Sequence, residues 1–322
     1  MRQRILLTGG TGFFGRALLR HFVTSGMAAE TNICVLSRDP SSFQAAHPDL
    51  AACEGISFVQ GDIEERASLP WDQAFTHVLH AATDSTVGPR LKPLQRFNQI
   101  VAGTNHLLDL AVATGAGRFL LTSSGGIYGP QPQNLDAIPE YWPGSPPLDQ
   151  ALTSYSQAKR AAEHLCALYR DAHGLQTVIA RCFSFVGSDM PLSAHFAIGN
   201  FIHDALYADC ISVAGDGSPL RTYLDQRDLA NWLWTLLNYG KEGEAYNVGS
   251  DRVISISDLA LLVRDVLAQH KPVRILGSQD AGTARDRYIP DIKKIRAEYG
   301  LRAIISLEQA VLNVAALSCF SS

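Results

Sequence analysis

Apolar residues in the first half of the chain follow two rhythms. Short, nearly continuous runs at 5–7, 32–36, 57–60, 76–80 and 118–122 suit strands buried on both faces. Between them Phe14, Ala17, Leu18 and Phe22 recur at helical spacing over 13–25, and a longer periodic stretch fills 94–113. A further helical pattern over 154–169 sets Ala161, Leu165 and Leu168 on one face, and 177–182 reads as a sixth strand. Strands alternating with helices predict an α/β fold, a parallel sheet covered on both faces. Past Cys182 the alternation becomes irregular, with helices near 200–207, 227–238, 257–268 and 307–316 and short strands at 211–214 and 273–276. The pattern predicts a first domain over 1–182. A smaller α/β lobe over 183–322 follows, some of whose segments return to the first domain.

The first strand runs into Thr8-Gly-Gly-Thr-Gly-Phe-Phe-Gly15. Gly10, Gly12 and Gly15 satisfy G-x-G-x-x-G, and Gly9, Gly12 and Gly15 satisfy G-x-x-G-x-x-G. Glycine permits the sharp turn and lets a pyrophosphate approach the main chain, where the helix N-terminus offers unsatisfied N–H groups. The order strand, glycine turn, helix predicts a dinucleotide site and a doubly wound Rossmann sheet. Gly9, Gly12, Phe13, Phe14 and Gly15 are its phosphate-side candidates.

The end of the second strand bears on which dinucleotide binds. An acid there suits the ribose 2′-hydroxyl of NAD, whereas an arginine suits the 2′-phosphate of NADP. The chain reads Val35-Leu36-Ser37-Arg38-Asp39. Ser37 stands at the acid's place and Arg38 follows, which puts NADP ahead of NAD. The other reading makes Arg38 a loop charge and gives the ribose to Asp39. Asp62 and Ile63, after the third strand, are placed beside the adenine.

Charge adds little. The 322 residues carry a net charge of −4 with no basic run, which gives nucleic acid or a membrane surface no support. Six scattered cysteines without a C-x-x-C pair point to reduced thiols and no metal site. No apolar run approaches the roughly 18 residues of a membrane helix. A cytoplasmic protein is expected.

Tyr155-Ser-Gln-Ala-Lys159 sets a phenol and an ammonium four apart, on one face of a helix. A nearby cation favours the phenolate, and a shift of three units corresponds to about 4 kcal/mol. Ser124, at the end of the fifth strand, can bond the same substrate oxygen. Ser124, Tyr155 and Lys159 together are candidates for moving a proton on or off an alcohol while hydride moves to or from a nicotinamide.

These motifs, with Gly61-Asp62, His80-Ala-Ala82, Thr122-Ser-Ser-Gly-Gly-Ile-Tyr-Gly129, Arg221-Thr-Tyr-Leu-Asp225, Asp228-Leu-Ala230 and Tyr246-Asn-Val-Gly-Ser250, resemble the extended short-chain dehydrogenase/reductases. The likeness is to their nucleotide-sugar epimerase, dehydratase and reductase group. It implies Tyr155 as acid/base, Lys159 on the nicotinamide ribose, and Ser124 on the sugar hydroxyl. It adds His80, Ala81 and Ala82 to the cofactor side and assigns Asn200, Arg221 and Arg287 to the nucleotide diphosphate. The bland reading of the two arginines is pairing with Asp225 or Asp286. It also suggests a homodimer through the helix of 101–113 and the one bearing Tyr155, against a reading of both as core helices.

Departures refine the expectation. The 4,6-dehydratases of the group carry an Asp-Glu pair where this chain has Gly125 and Gly126, which cannot transfer protons. Ile100 and Ser184 stand where asparagines are usual. The sequence therefore points to a 4-ketosugar reductase or a 4-epimerase. A 4,6-dehydratase, a reductase of small ketones and a non-catalytic cofactor binder are the alternatives.

Overall fold

The computed structural model describes residues 2–83, 91–192, 196–278 and 285–318. Its strands are β1 (Gln3–Thr8), β2 (Thr31–Ser37), β3 (Ile56–Gln60), β4 (His77–His80), β5 (Arg118–Ser124), β6 (Gln176–Cys182), β7 (Phe185–Val186), β8 (Ile211–Val213), β9 (Leu220–Arg221), β10 (Leu224–Asp225), β11 (Ala245–Val248), β12 (Ile254–Ser255) and β13 (Val273–Ile275). Its helices are α1 (Phe13–Thr24), α2 (Pro40–Ala46), α3 (Pro48–Ala51), α4 (Pro93–Ala113), α5 (Ser154–His173), α6 (Ala197–Tyr207), α7 (Gln226–Tyr239), α8 (Ile256–Leu267), α9 (Lys293–Tyr299) and α10 (Leu307–Ser318).

Seven strands form one parallel sheet in the order β11-β6-β5-β4-β1-β2-β3. The apolar runs are explained by this placement, since Leu6, Val35, Val78, Phe119, Leu120 and Leu121 have no measurable exposure. Side chains alternate between the two faces. Leu7 and Leu120 join α1 and α7 in one core, while Leu6 and Leu121 join α4 and α5 in the other. α1 follows the rule of its spacing, with Phe13, Ala17, Leu18, Leu19 and Phe22 buried. α5 stops at Gly174, whose φ of 67° closes the helix in the left-handed conformation.

Two motifs lie elsewhere than their positions in the chain suggest. Tyr246-Asn-Val belongs to β11, which pairs with β6 on the outer edge of the main sheet, and Asp228-Leu-Ala lies on α7 against the same sheet. These residues are therefore framework and not part of the lobe. The lobe proper is built from α6, α8 and α10 with the β8–β13 pair. A strap over 285–291 then crosses back. Tyr288 N–H donates to the Leu220 carbonyl, and Ile138 N–H donates to the Ile289 carbonyl.

Candidate active site

A cleft of about 1330 Å³ opens at the carboxyl ends of the strands, beside the point where β1 and β4 lead in opposite directions. Doubly wound sheets hold ligands there. Gly9, Gly12, Phe13 and Phe14 line it at the turn. Gly9 has φ 72°, and a Cβ there would stand 2.6 Å from the Ala81 carbonyl carbon. Gly12 caps α1 with no side-chain hydrogen bond, and the first turn holds no acid. The N–H groups of that turn thus form a cradle with no side-chain anion in it, which suits a pyrophosphate.

Ser37, Arg38, Asp62 and Ile63 line the cleft further along, as do Ala81 and Ala82. Asp39 uses its carboxylate as the cap of α2, accepting from Ser42 N–H at 3.0 Å. The exposed Arg38 guanidinium makes no ion pair among the described residues. The two therefore differ in what they leave available.

Four expected residues do not face the cleft. Gly15 serves close packing, since a Cβ there would lie 2.2 Å from Gly10 Cα. His80 is buried, its ring bonded to Thr8 Oγ1 at 2.8 Å and Thr104 Oγ1 at 3.3 Å, and burial pushes it down to about 3, so it is neutral. Asn200 is exposed on α6. Arg287 reaches the loop carbonyls of Gln133 at 3.1 Å and Asp136 at 3.3 Å. Arg221 does line the cleft and is ion-paired with Asp286, while Asp225 is taken by Arg227 at 2.8 Å.

Ser124, Tyr155 and Lys159 meet in the same cleft. Ser124 Oγ accepts from Gly126 N–H at 3.1 Å, and its hydroxyl is close enough to the Tyr155 phenol to lower that group's pKa. Lys159 is 2 % exposed and donates to Thr83 Oγ1 and the Thr122 carbonyl, each at 2.8 Å. Burial brings this ammonium down to about 8, with Cys182 and Glu163 pulling it back up. Tyr155 departs from the expected depression. Burial dominates and pushes it up to about 12, against smaller lowering by Ser124 and Arg96. The reason is geometric, since Lys159 Nζ lies 5.9 Å from the ring centroid and spends two of its donors elsewhere.

Two further residues belong to this site. Tyr288, carried by the strap, stands beside Ser124 and reaches the Cys182 carbonyl at 3.4 Å. Its hydroxyl and the Phe183 ring occupy the space in front of Gly125, where a Cβ would be 2.7 Å from each. No spacing rule predicts a residue that arrives 164 positions after its partner Ser124. Arg96 of α4 lines the cleft with its guanidinium over the Tyr155 ring. Its one sequence signal is a base in the first turns of a helix whose first turn has no acid, against the helix dipole.

A model of the NAD dependent epimerase/dehydratase family matches residues 5–249, from β1 through β11. The chain belongs to that family. The resemblance to extended short-chain dehydrogenases is thereby borne out, and with it an enzyme built around a dinucleotide. Among curated relatives, UDP-glucuronic acid decarboxylase 1 of Danio rerio is 28 % identical over 313 residues, which cover 96 % of this chain and 71 % of the relative. UDP-glucuronic acid decarboxylase 4 of Arabidopsis thaliana is 27 % identical over 308 residues, 96 % of this chain and 67 % of its own. The same fold recurs in the dTDP-glucose 4,6-dehydratase DesIV of Streptomyces venezuelae, with a TM-score of 0.83 at 24 % identity over 99 % of this chain and 97 % of that one. It recurs in the UDP-glucose 4-epimerase of Thermotoga maritima, with a TM-score of 0.80 at 21 % identity over 99 % of both chains. In this epimerase/dehydratase chain no helix of the described residues is long and apolar enough to cross a membrane. Nor does any group of three or more His, Cys, Asp or Glu among them stand where it would hold a metal ion.

Proposed function

We propose that this enzyme moves hydride at C4 of a nucleotide-linked sugar, as a 4-ketosugar reductase or a 4-epimerase, with Tyr155 as acid/base. The observation that carries the reading is the meeting of Ser124, Tyr155 and a buried Lys159 in the same cleft as the open N-terminus of α1. A bound nicotinamide supplies the hydride acceptor or donor. Tyr155 Oη takes the C4 hydroxyl proton or returns it to the ketone oxygen, and Ser124 Oγ fixes that oxygen by a second hydrogen bond. Lys159 keeps one N–H beyond its two bonds, which the family resemblance gives to the nicotinamide ribose. Arg221, exchanging Asp286 for a diphosphate, holds the substrate's anionic end.

Elimination of water finds no support at Gly125, because the Phe183 ring and Tyr288 hydroxyl fill the place of an acid/base side chain. A second reading has its own observation in the decarboxylase names of the 26–28 % identical relatives. Oxidation at C4 of a uronate sets its carboxylate β to a ketone, and such an acid loses carbon dioxide without another catalytic group. Arg38, which makes no ion pair among the described residues, beside an Asp39 spent on α2, favours NADP over NAD. The free thiols at Cys34, Cys53, Cys166, Cys182 and Cys210 suit the cytoplasm; Cys319 lies outside the described residues. The exposed Leu94 and Val112 on α4 and Leu168 on α5 suit a homodimer built on those two helices.

The test is consumption of NADPH and NADH against nucleotide-linked sugars, with products identified by mass. Gain of two hydrogens with stoichiometric oxidation means reductase, and an isomer of unchanged mass means epimerase. Loss of carbon dioxide would move the chain to the second reading, and loss of water would refute the argument from Gly125. Tyr155→Phe is expected to lose almost all turnover while keeping cofactor affinity. Near-normal turnover would overturn the assignment.

A further inference from the structure

Tyr155 has two cations beside it. Lys159, on its own helix, lies 5.9 Å from the ring centroid and is tied to Thr83 and to the Thr122 carbonyl. Arg96, from α4, puts its guanidinium carbon 5.4 Å from the same centroid, inside the cleft. A cation within about 6 Å of a ring centroid is attracted by the ring's π electrons, more so when water is excluded. The other titratable groups facing Tyr155 are Cys182 of β6 and Tyr288 of the strap. Neither carries positive charge. Glu163 of α5 acts on Lys159. Of the two cations only Arg96 is permanent, because a guanidinium stays protonated where burial brings the ammonium to about 8. Its place near the positive end of the α4 dipole is no gain for the helix itself.

We propose that Arg96 is a positioning residue for Tyr155, stabilising through the ring face the anionic phenol that exists while the proton is away. This rests on the reading of Tyr155 as the acid/base. The consequence has one sign for either direction of hydride transfer. Removing Arg96 raises the pH at which Tyr155 loses its proton. The limb of the rate profile that reports Tyr155 then moves up, whether the phenolate is the base or the phenol is the acid.

The test uses the full chain with Arg96→Met and Arg96→Lys, measuring pH profiles of kcat and KM on the nucleotide sugar that turns over. Arg96→Met is expected to move the Tyr155 limb up by about one pH unit, a tenfold change in the proton equilibrium. KM is expected to stay within about twofold, and Arg96→Lys to restore most of the shift. An unmoved limb overturns the proposal, as does a raised KM with an unchanged kcat profile, which would make Arg96 a substrate-binding residue. A rapid pH jump read by tyrosinate absorbance, with the Tyr155→Phe trace subtracted, needs no turnover. If Tyr155→Phe turned over normally, the functional reading would fail. That titration would then decide Arg96 alone, a raised Tyr155 step with Arg96→Met supporting it and an unmoved step overturning it.

Discussion

Lys159 shows how a single residue sets chemistry against stability. Its charge is buried, and its folded value near 8 lies below the ordinary lysine value of 10.5. The stability linked to this group is therefore present above the unfolded value and lost as pH falls through the folded one. At pH 7 the fold carries the full cost of a buried ammonium. Lys159→Met is expected to abolish turnover yet unfold at higher denaturant at pH 7, by about 1–3 kcal/mol. The advantage should narrow as pH rises from 8 towards 10.5, and denaturant melts at several pH values check it. An advantage independent of pH would show that the pKa of Lys159 does not change on folding. The pair Tyr155 and Lys159 was legible because helical spacing alone puts them on one face. The pKa of Tyr155 was not, because it depends on burial and on Arg96, which arrives from another helix. Gly125 was legible as a missing carboxylate, while Tyr288 in front of it is a product of tertiary structure.

At the scale of elements, a buried polar network stands behind the catalytic strand and helix. Glu163, one turn beyond Lys159 on α5, accepts from Ser123 Oγ and from Arg181 Nε and Nη2, the last at 2.8 Å. Arg181 of β6 continues to Tyr128 Oη at 2.9 Å and the Glu140 carbonyl at 2.8 Å, and Tyr128 Oη donates to Asn247 of β11 at 2.8 Å. These bonds fix α5 against β5 and β6 at the level of Ser124. Arg181→Met leaves the Glu163 carboxylate buried without its ion pair and is expected to cost about 3–5 kcal/mol in urea unfolding. A loss below about 1 kcal/mol would mean that Ser123 alone suffices for Glu163. β1–β6, β8 and β13 were read from sequence to within two residues at each end, since continuous apolar runs leave little choice, whereas β7, β9, β10, β11 and β12 were not. The short helices α2, α3 and α9 carry too few periodic positions to be read that way.

Across the whole molecule, α4 and α5 pack side by side and still show apolar residues to solvent. Leu94 and Val112 are 71 % and 37 % exposed, and their separation of about five helical turns sets them on one side of α4. Leu168 of α5 is 49 % exposed. Leu168→Glu is expected to convert a dimer to a monomer in light scattering without loss of secondary structure. An unchanged dimer mass would place the contact elsewhere. The part of the architecture that sequence order hid is the chain's double return. It leaves the sheet after β6 to begin the lobe with α6 and β8, comes back as α7 and β11, resumes the lobe with α8 and β13, and crosses again as the strap. Local pattern says what an element is but not which edge it joins.

That return has a consequence for the chain as it is made. The Arg118–Cys182 portion emerges with the outer edge of β6 unpaired, because its neighbour β11 begins only at Ala245. At about 5–20 residues per second the ribosome takes roughly 3–12 s to supply the intervening segment. Through that interval the nascent protein presents an apolar strand edge, the surface on which a second chain can pair. Synthesis at high concentration therefore threatens this protein at β6 while only α6 and β8 of its lobe have been made, and the last element of the active site, Tyr288, is still forty residues away when β11 finally seals the edge.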